Sequence, residues 1–188
     1  MEPFEKMIVR SLMRPVTEFP GIFSNASFME AVETLDQLED NFRVSKVPER
    51  ILLAYDESGR IVGKLAPIDI LQALEPNYLN FDKVKIGFLS QPIQSKLEKF
   101  KVQFKFWHSP LAELWQKARR VKIRDFLEMP QPEHILNAND KIEEALHLFA
   151  VTRQGSLFVR DSGSIAGLLL FSDIYKKIKE AIRTNPDA

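Results

Sequence analysis

The sequence predicts an α+β fold of the two-layer type, with two β-α-β-β-α repeats joined by a helical connector. Three observations point to it. Residues 20–32 (PGIFSNASFMEAV) match residues 134–146 (HILNANDKIEEAL), setting Phe28 on Ile142, Glu30 on Glu144, Ala31 on Ala145 and Val32 on Leu146. Residues 55–71 (YDESGRIVGKLAPIDIL) match residues 160–175 (RDSGSIAGLLLFSDIY), setting Gly63 on Gly167 and Asp69 on Asp173. Apolar spacing and turn signals then fall in the same order in both copies. The first match is offset by 114 positions and the second by 104, so copy one holds ten more residues after its helix, in LEDNFRVSKVPER. The boundaries read from this are repeat one over 1–78, a connector over 79–120 and repeat two over 121–188.

Each copy opens on a short strand, Gly21 to Phe23 or Ile135 to Leu136. Ser27 with Glu30 three residues later is a capping box, and Asn139 is the cap candidate in copy two. Phe28, Ala31, Val32 and Leu35, like Ile142, Ala145, Leu146 and Phe149, recur at helical spacing. ILLAYD and SLFVRD are apolar strands ending in turn formers, Asp56 to Gly59 and Asp161 to Gly163. The strands that follow, Arg60 to Leu65 and Ser164 to Leu169, lead into a last helix starting near Pro67 or Phe171. Pro67 suits a first helical position, where a missing N–H costs nothing. A repeat of roughly 60 residues cannot cover both faces of its sheet alone, so it is expected to pair with its twin.

Between residues 79 and 122, ten lysines and arginines face only Asp82, Glu98 and Glu113 in a chain whose formal net charge is zero. Lys99 to Phe106 alternates as a strand would, while Ile93, Leu97, Phe100, Phe104 and Trp107 form one helical stripe. The stripe spans four turns and Ser90 with Pro92 resembles a helix start, which favours helix. Ser109 and Pro110 open a further helix with Leu111, Leu114, Trp115 and Ala118 on one face. A lysine-rich stripe opposite an apolar one most often forms a solvated face, so nucleic acid is an unlikely partner, and the two tryptophans read as core or dimer contacts.

Composition excludes several classes. With 188 residues, 45% hydrophobic and 28% charged, the chain reads as a soluble globular protein. It has no cysteine, hence no disulfide, thiolate metal site or cysteine nucleophile. The first residues carry charges and no signal-like apolar run, and no stretch approaches a membrane span, so a cytoplasmic setting is expected. Dinucleotide-binding, P-loop, nucleophile-elbow and zinc-protease signatures are missing, and His108, His134 and His147 lack ligand spacing. Neighbouring carboxylates such as Glu143 and Glu144 point to different sides of a helix, so catalysis is not expected.

The tandem LMRP…PGIFSNASFMEAV…ILLAYDESGRIVGKLAPIDIL and DFLEMP…HILNANDKIEEAL…SLFVRDSGSIAGLLLFSDIY resembles a pair of cystathionine-beta-synthase-type (CBS) domains, the Bateman module, over about 10–76 and 121–178. The resemblance implies two repeats packed about a pseudo-twofold axis, clefts that take AMP, ATP or another adenosyl ligand, no required cofactor or metal, and assembly into a homodimer. It also implies a regulatory role, sensing a ligand on behalf of a regulated protein. By that resemblance Asp69 and Asp173 accept hydrogen bonds from ribose hydroxyls, which suits an acceptor-only group facing a diol. The adenine would rest against Ile22, Ala54, Leu136 and Val159, with Ala66, Pro67, Leu170 and Ser172 bordering the ligand at the helix starts. The family's Ser or Thr is replaced by Ala66 and Leu170, and its second-strand proline by Leu53 and Phe158. The other reading is therefore a degenerate pair, with clefts filled by its own side chains, that serves as an interaction or dimerisation scaffold.

Overall fold

The computed structural model describes residues 6–74, 115–116, 118–127 and 129–184, and the chain divides into two compact units. One unit is Pro20–Met129; the other joins Met1–Phe19 to Pro130–Ala188. In the first unit, β2 (Gly21–Phe23) runs parallel to β3 (Leu52–Tyr55), which pairs antiparallel with β4 (Ile61–Leu65). The crossover between the parallel strands is helix α1 (Phe28–Arg43), as parallel pairing requires. In the second unit β5 (Ile135–Asn137), α3 (Ile142–Thr152), β6 (Ser156–Asp161) and β7 (Ser164–Leu170) repeat this order, followed by α4 (Phe171–Thr184). Its sheet has a fourth strand, β1 (Arg14–Pro15), on the free edge of β7.

The copies agree in register as well as in order. Ile22 faces Ala54 and Leu136 faces Val159; Ala54 faces Gly63 and Val159 faces Gly167. The register then slips at the same point in both, between Ala54 and Tyr55 and between Val159 and Arg160. A bulge leaves one residue of the partner strand unpaired and bends it. Each unit has its own core. Phe28, Ala31, Leu35, Leu38, Leu52 and Leu65 are buried in the first, and Leu136, Ile142, Ala145, Leu157, Val159 and Leu169 in the second.

The segments ahead of the repeats are exchanged. Val9 and Arg10 N–H groups donate to Asp140 and Ala138 carbonyls, and Met7 accepts from the Ile142 N–H. Ile123 and Arg124 donate to Ala26 and Ser24, and Val121 accepts from the Phe28 N–H. Every one of these bonds recurs 114 positions on, so each segment borders the helix of the repeat it does not precede in sequence. Val9 is fully buried in the second unit's core and Ile123 in the first's.

Most elements match the sequence reading; two helix starts differ. Ser27 makes the expected capping box, its hydroxyl accepting the Glu30 N–H at 3.2 Å while the Glu30 carboxylate accepts the Ser27 N–H at 2.7 Å. Asn139, by contrast, does not cap α3: the N-cap is Lys141, which makes no side-chain cap bond. Helix α3 begins at Ile142, which makes Lys141, the counterpart of Ser27, its N-cap and leaves Asn139 two residues too early. The last helix of copy one opens as a 3-10 turn, Pro67–Asp69, before α2 (Ile70–Leu74). The connector expected to be helical lies largely outside the described residues, as does Trp107; the rings of Trp115 and Phe28 meet edge to face with centroids 6.1 Å apart.

Candidate functional site

The two aspartates sit in the first turns after β4 and β7. Backbone amides at a helix start have no intrahelical acceptor, and the macrodipole favours an anion there. Asp69 is half-buried, and its Oδ2 accepts the Ala66 N–H at 2.7 Å, which closes the turn back on itself. Ala66 has no hydroxyl to complete a reciprocal cap.

Asp173 faces a different environment. Its Oδ2 accepts from Arg14 Nε at 2.6 Å and its Oδ1 from Arg14 Nη2 at 3.0 Å, a two-pronged guanidinium–carboxylate pair. Lys176 Nζ adds a third bond to Oδ1 at 3.1 Å, and Arg14 Nη1 also donates to Glu18 at 2.9 Å. The Asp173 side chain is 13% exposed and that of Arg14 31%. Hydrogen bonding from Arg14 holds the Asp173 carboxyl below its ordinary range against the opposing effect of burial, with Lys176 adding to the shift. The same bond to Asp173 raises the Arg14 guanidinium further. Two cations and two anions meet here, so the cluster is neutral and its charges are mutually occupied.

Gly167 explains why Arg14 reaches this place. Arg14 and Pro15 lie opposite Leu168 and Gly167 on the edge of β7, and a Cβ on Gly167 would collide with the Arg14 carbonyl oxygen. Only glycine lets the backbones approach this closely. Gly63 plays the same part in copy one against a softer neighbour: its Cβ would come within 2.7 Å of a Leu127 methyl.

The other residues expected from the sequence are distributed unevenly. Ile22, Ala54, Leu136, Val159 and Leu170 are buried, and Ile22, Leu136 and Val159 belong to the unit cores. Ala66 is half-buried, whereas Pro67 and Ser172 are exposed. Sequence reasoning passed over Arg14. Its signal was the LMRP of the first segment recurring in part within DFLEMP, which marks both segments as belonging to the repeat. Apart from this cluster, an open pocket of about 490 Å³ in the second unit is lined by residues including Leu136, Asp140, Glu143, Glu144, His147 and Leu148. Among the described residues no group of three or more His, Asp or Glu side chains could hold a metal ion, and no helix is long and apolar enough to cross a membrane.

Comparison with known proteins agrees with this architecture. Residues 123–180 match the family model for the CBS domain. No curated protein matches. Among solved structures, CBSX2 in complex with AMP aligns at 17% identity over 93% of this chain and 97% of that chain, with a TM-score of 0.55. The CBS-pair protein CBSX2 from Arabidopsis thaliana aligns at 18% identity over 94% and 96%, with a TM-score of 0.54. A CBS domain-containing protein of Bacillus anthracis gives 13% identity over 94% and 96%, with a TM-score of 0.58. The second copy of the α+β repeat is thus the part matched by the CBS-domain model, and the chain as a whole has the fold of CBS-pair proteins.

Proposed function

We propose that this module is regulatory and binds an adenosine-type nucleotide, with AMP or ATP the first candidates and a ribose diol directed at Asp69 or Asp173. The observation that carries the reading is the pair of aspartates, each at the head of a last helix and each following a glycine six residues earlier. Ligand binding would act by favouring one arrangement of a two-state element through its difference in affinity. No catalytic step is assigned, and the setting is cytoplasmic. Titration calorimetry with AMP and ATP tests the proposal. Binding that weakens at least about tenfold in Asp69→Asn or Asp173→Asn supports it; no heat at millimolar nucleotide with any protein refutes it.

A second reading, a scaffold indifferent to nucleotides, is favoured by the Arg14–Asp173 pair and by Leu170, 1% exposed where the family carries a hydroxyl. In both readings the chain forms a homodimer, supported by Phe171, Tyr175 and Ile182 on α4, which are 41%, 56% and 67% exposed. Light scattering that returns a monomer mass at micromolar concentration refutes the dimer.

A further inference from the structure

We infer that Arg14 is an internal latch on the copy-two site, occupying with its guanidinium the carboxylate that a ribose diol would need. The inference rests on the nucleotide reading above and adds a competitor supplied by the chain itself. An ionised carboxylate offers about four lone-pair directions and no donor. Three are already taken, by Nε and Nη2 of Arg14 and by Nζ of Lys176. Both oxygens of Asp173 are thereby committed, and the side chain is 13% exposed. One direction is left, so a diol donating both of its hydroxyls to Asp173 must displace at least one of these three bonds. The fork is held from behind: Glu18 fixes the remaining guanidinium nitrogen, and the Arg14 backbone is seated opposite Leu168 on β7 by strand pairing. Neutral hydroxyls replacing a charge-assisted pair make a poor exchange, so the latch lowers affinity at this site and does not merely accompany binding.

The latch also has a direction. Arg14 lies five residues before Phe19, where the second unit's amino-terminal portion ends and the chain passes into the first unit at Pro20. Ligand that frees Arg14 therefore acts on the peptide leading from one unit to the other. Regulation at this site would consist of exchanging an internal cation for an external diol.

The test is AMP affinity for the wild-type chain, Arg14→Met, Arg14→Lys, Asp173→Asn and the Arg14→Met/Asp173→Asn double variant, with cooperative melting of each checked by circular dichroism. The latch predicts that Arg14→Met binds AMP about tenfold more tightly than wild type or better, and that the double variant loses this gain. Arg14→Lys should gain less than Arg14→Met, because an ammonium keeps the charge but cannot fork; it also serves if Arg14→Met fails to fold. Unchanged or weaker binding by both Arg14 variants, with wild type still binding, overturns the latch and leaves the nucleotide reading intact. Absence of AMP binding by every folded variant removes the nucleotide reading, and the latch with it.

Discussion

At the head of its last helix, copy one places a carboxylate that closes on the Ala66 N–H, whereas copy two places one gripped by a guanidinium from outside its own repeat. The strands leading there match in register and share a bulge at the same position, so the divergence does not come from the sheets. In copy two it comes from the exchanged segment, which brings Arg14 onto Asp173 from outside the repeat.

The comparison can be broken most forcefully at the glycines. Gly167→Ala sets a methyl group against the Arg14 backbone, which cannot move without unseating β1, and is expected to cost about 3 kcal/mol in urea denaturation. Gly63→Ala meets the Leu127 side chain first and should cost roughly 1 kcal/mol. Equal losses would contradict the contrast between a backbone neighbour and a flexible one. Next comes Asp173. Asp173→Asn removes the charge from a part-buried fork and should lose about 2 kcal/mol in urea denaturation.

The helix starts sharpen the same contrast at smaller scale. Ser27→Ala breaks a complete capping box and should cost about 1 kcal/mol. Lys141→Ala, at an N-cap without a side-chain bond, should be near neutral. The smallest effect is on pH. The carboxyl of Asp173 is lowered in the folded state by Arg14 and then Lys176, so its contribution is fully present above the unfolded value, about 3.9, and is lost as pH falls through the lower folded value. As pH falls below about 4, wild type should therefore lose more stability than Asp173→Asn; identical pH profiles would contradict this.

Local signals made most of the fold legible. Ser27 with Glu30, the helical spacing of Phe28 and Leu35, and the Asp56 and Asp161 turns each report on neighbours a few residues away, and the elements they mark are present. What was not legible depends on residues far apart in the chain. Arg14 carried no pattern of its own, and its partner is 159 positions away. The aspartates were found through the repeat, but whether each carboxylate stands open to a diol is decided by segments whose destination no periodicity records.

The exchange of leading segments separates what is inherited from what is assembled. A repeat excised at its own ends leaves behind the peptide that satisfies the first amide of its helix and takes along one whose seat is on its sibling. Either half transplanted alone into another protein would arrive incomplete, with a buried valine or isoleucine turned out to water. The heritable piece is the single motif, but the piece that closes an interior is a motif together with the leading segment of its sibling.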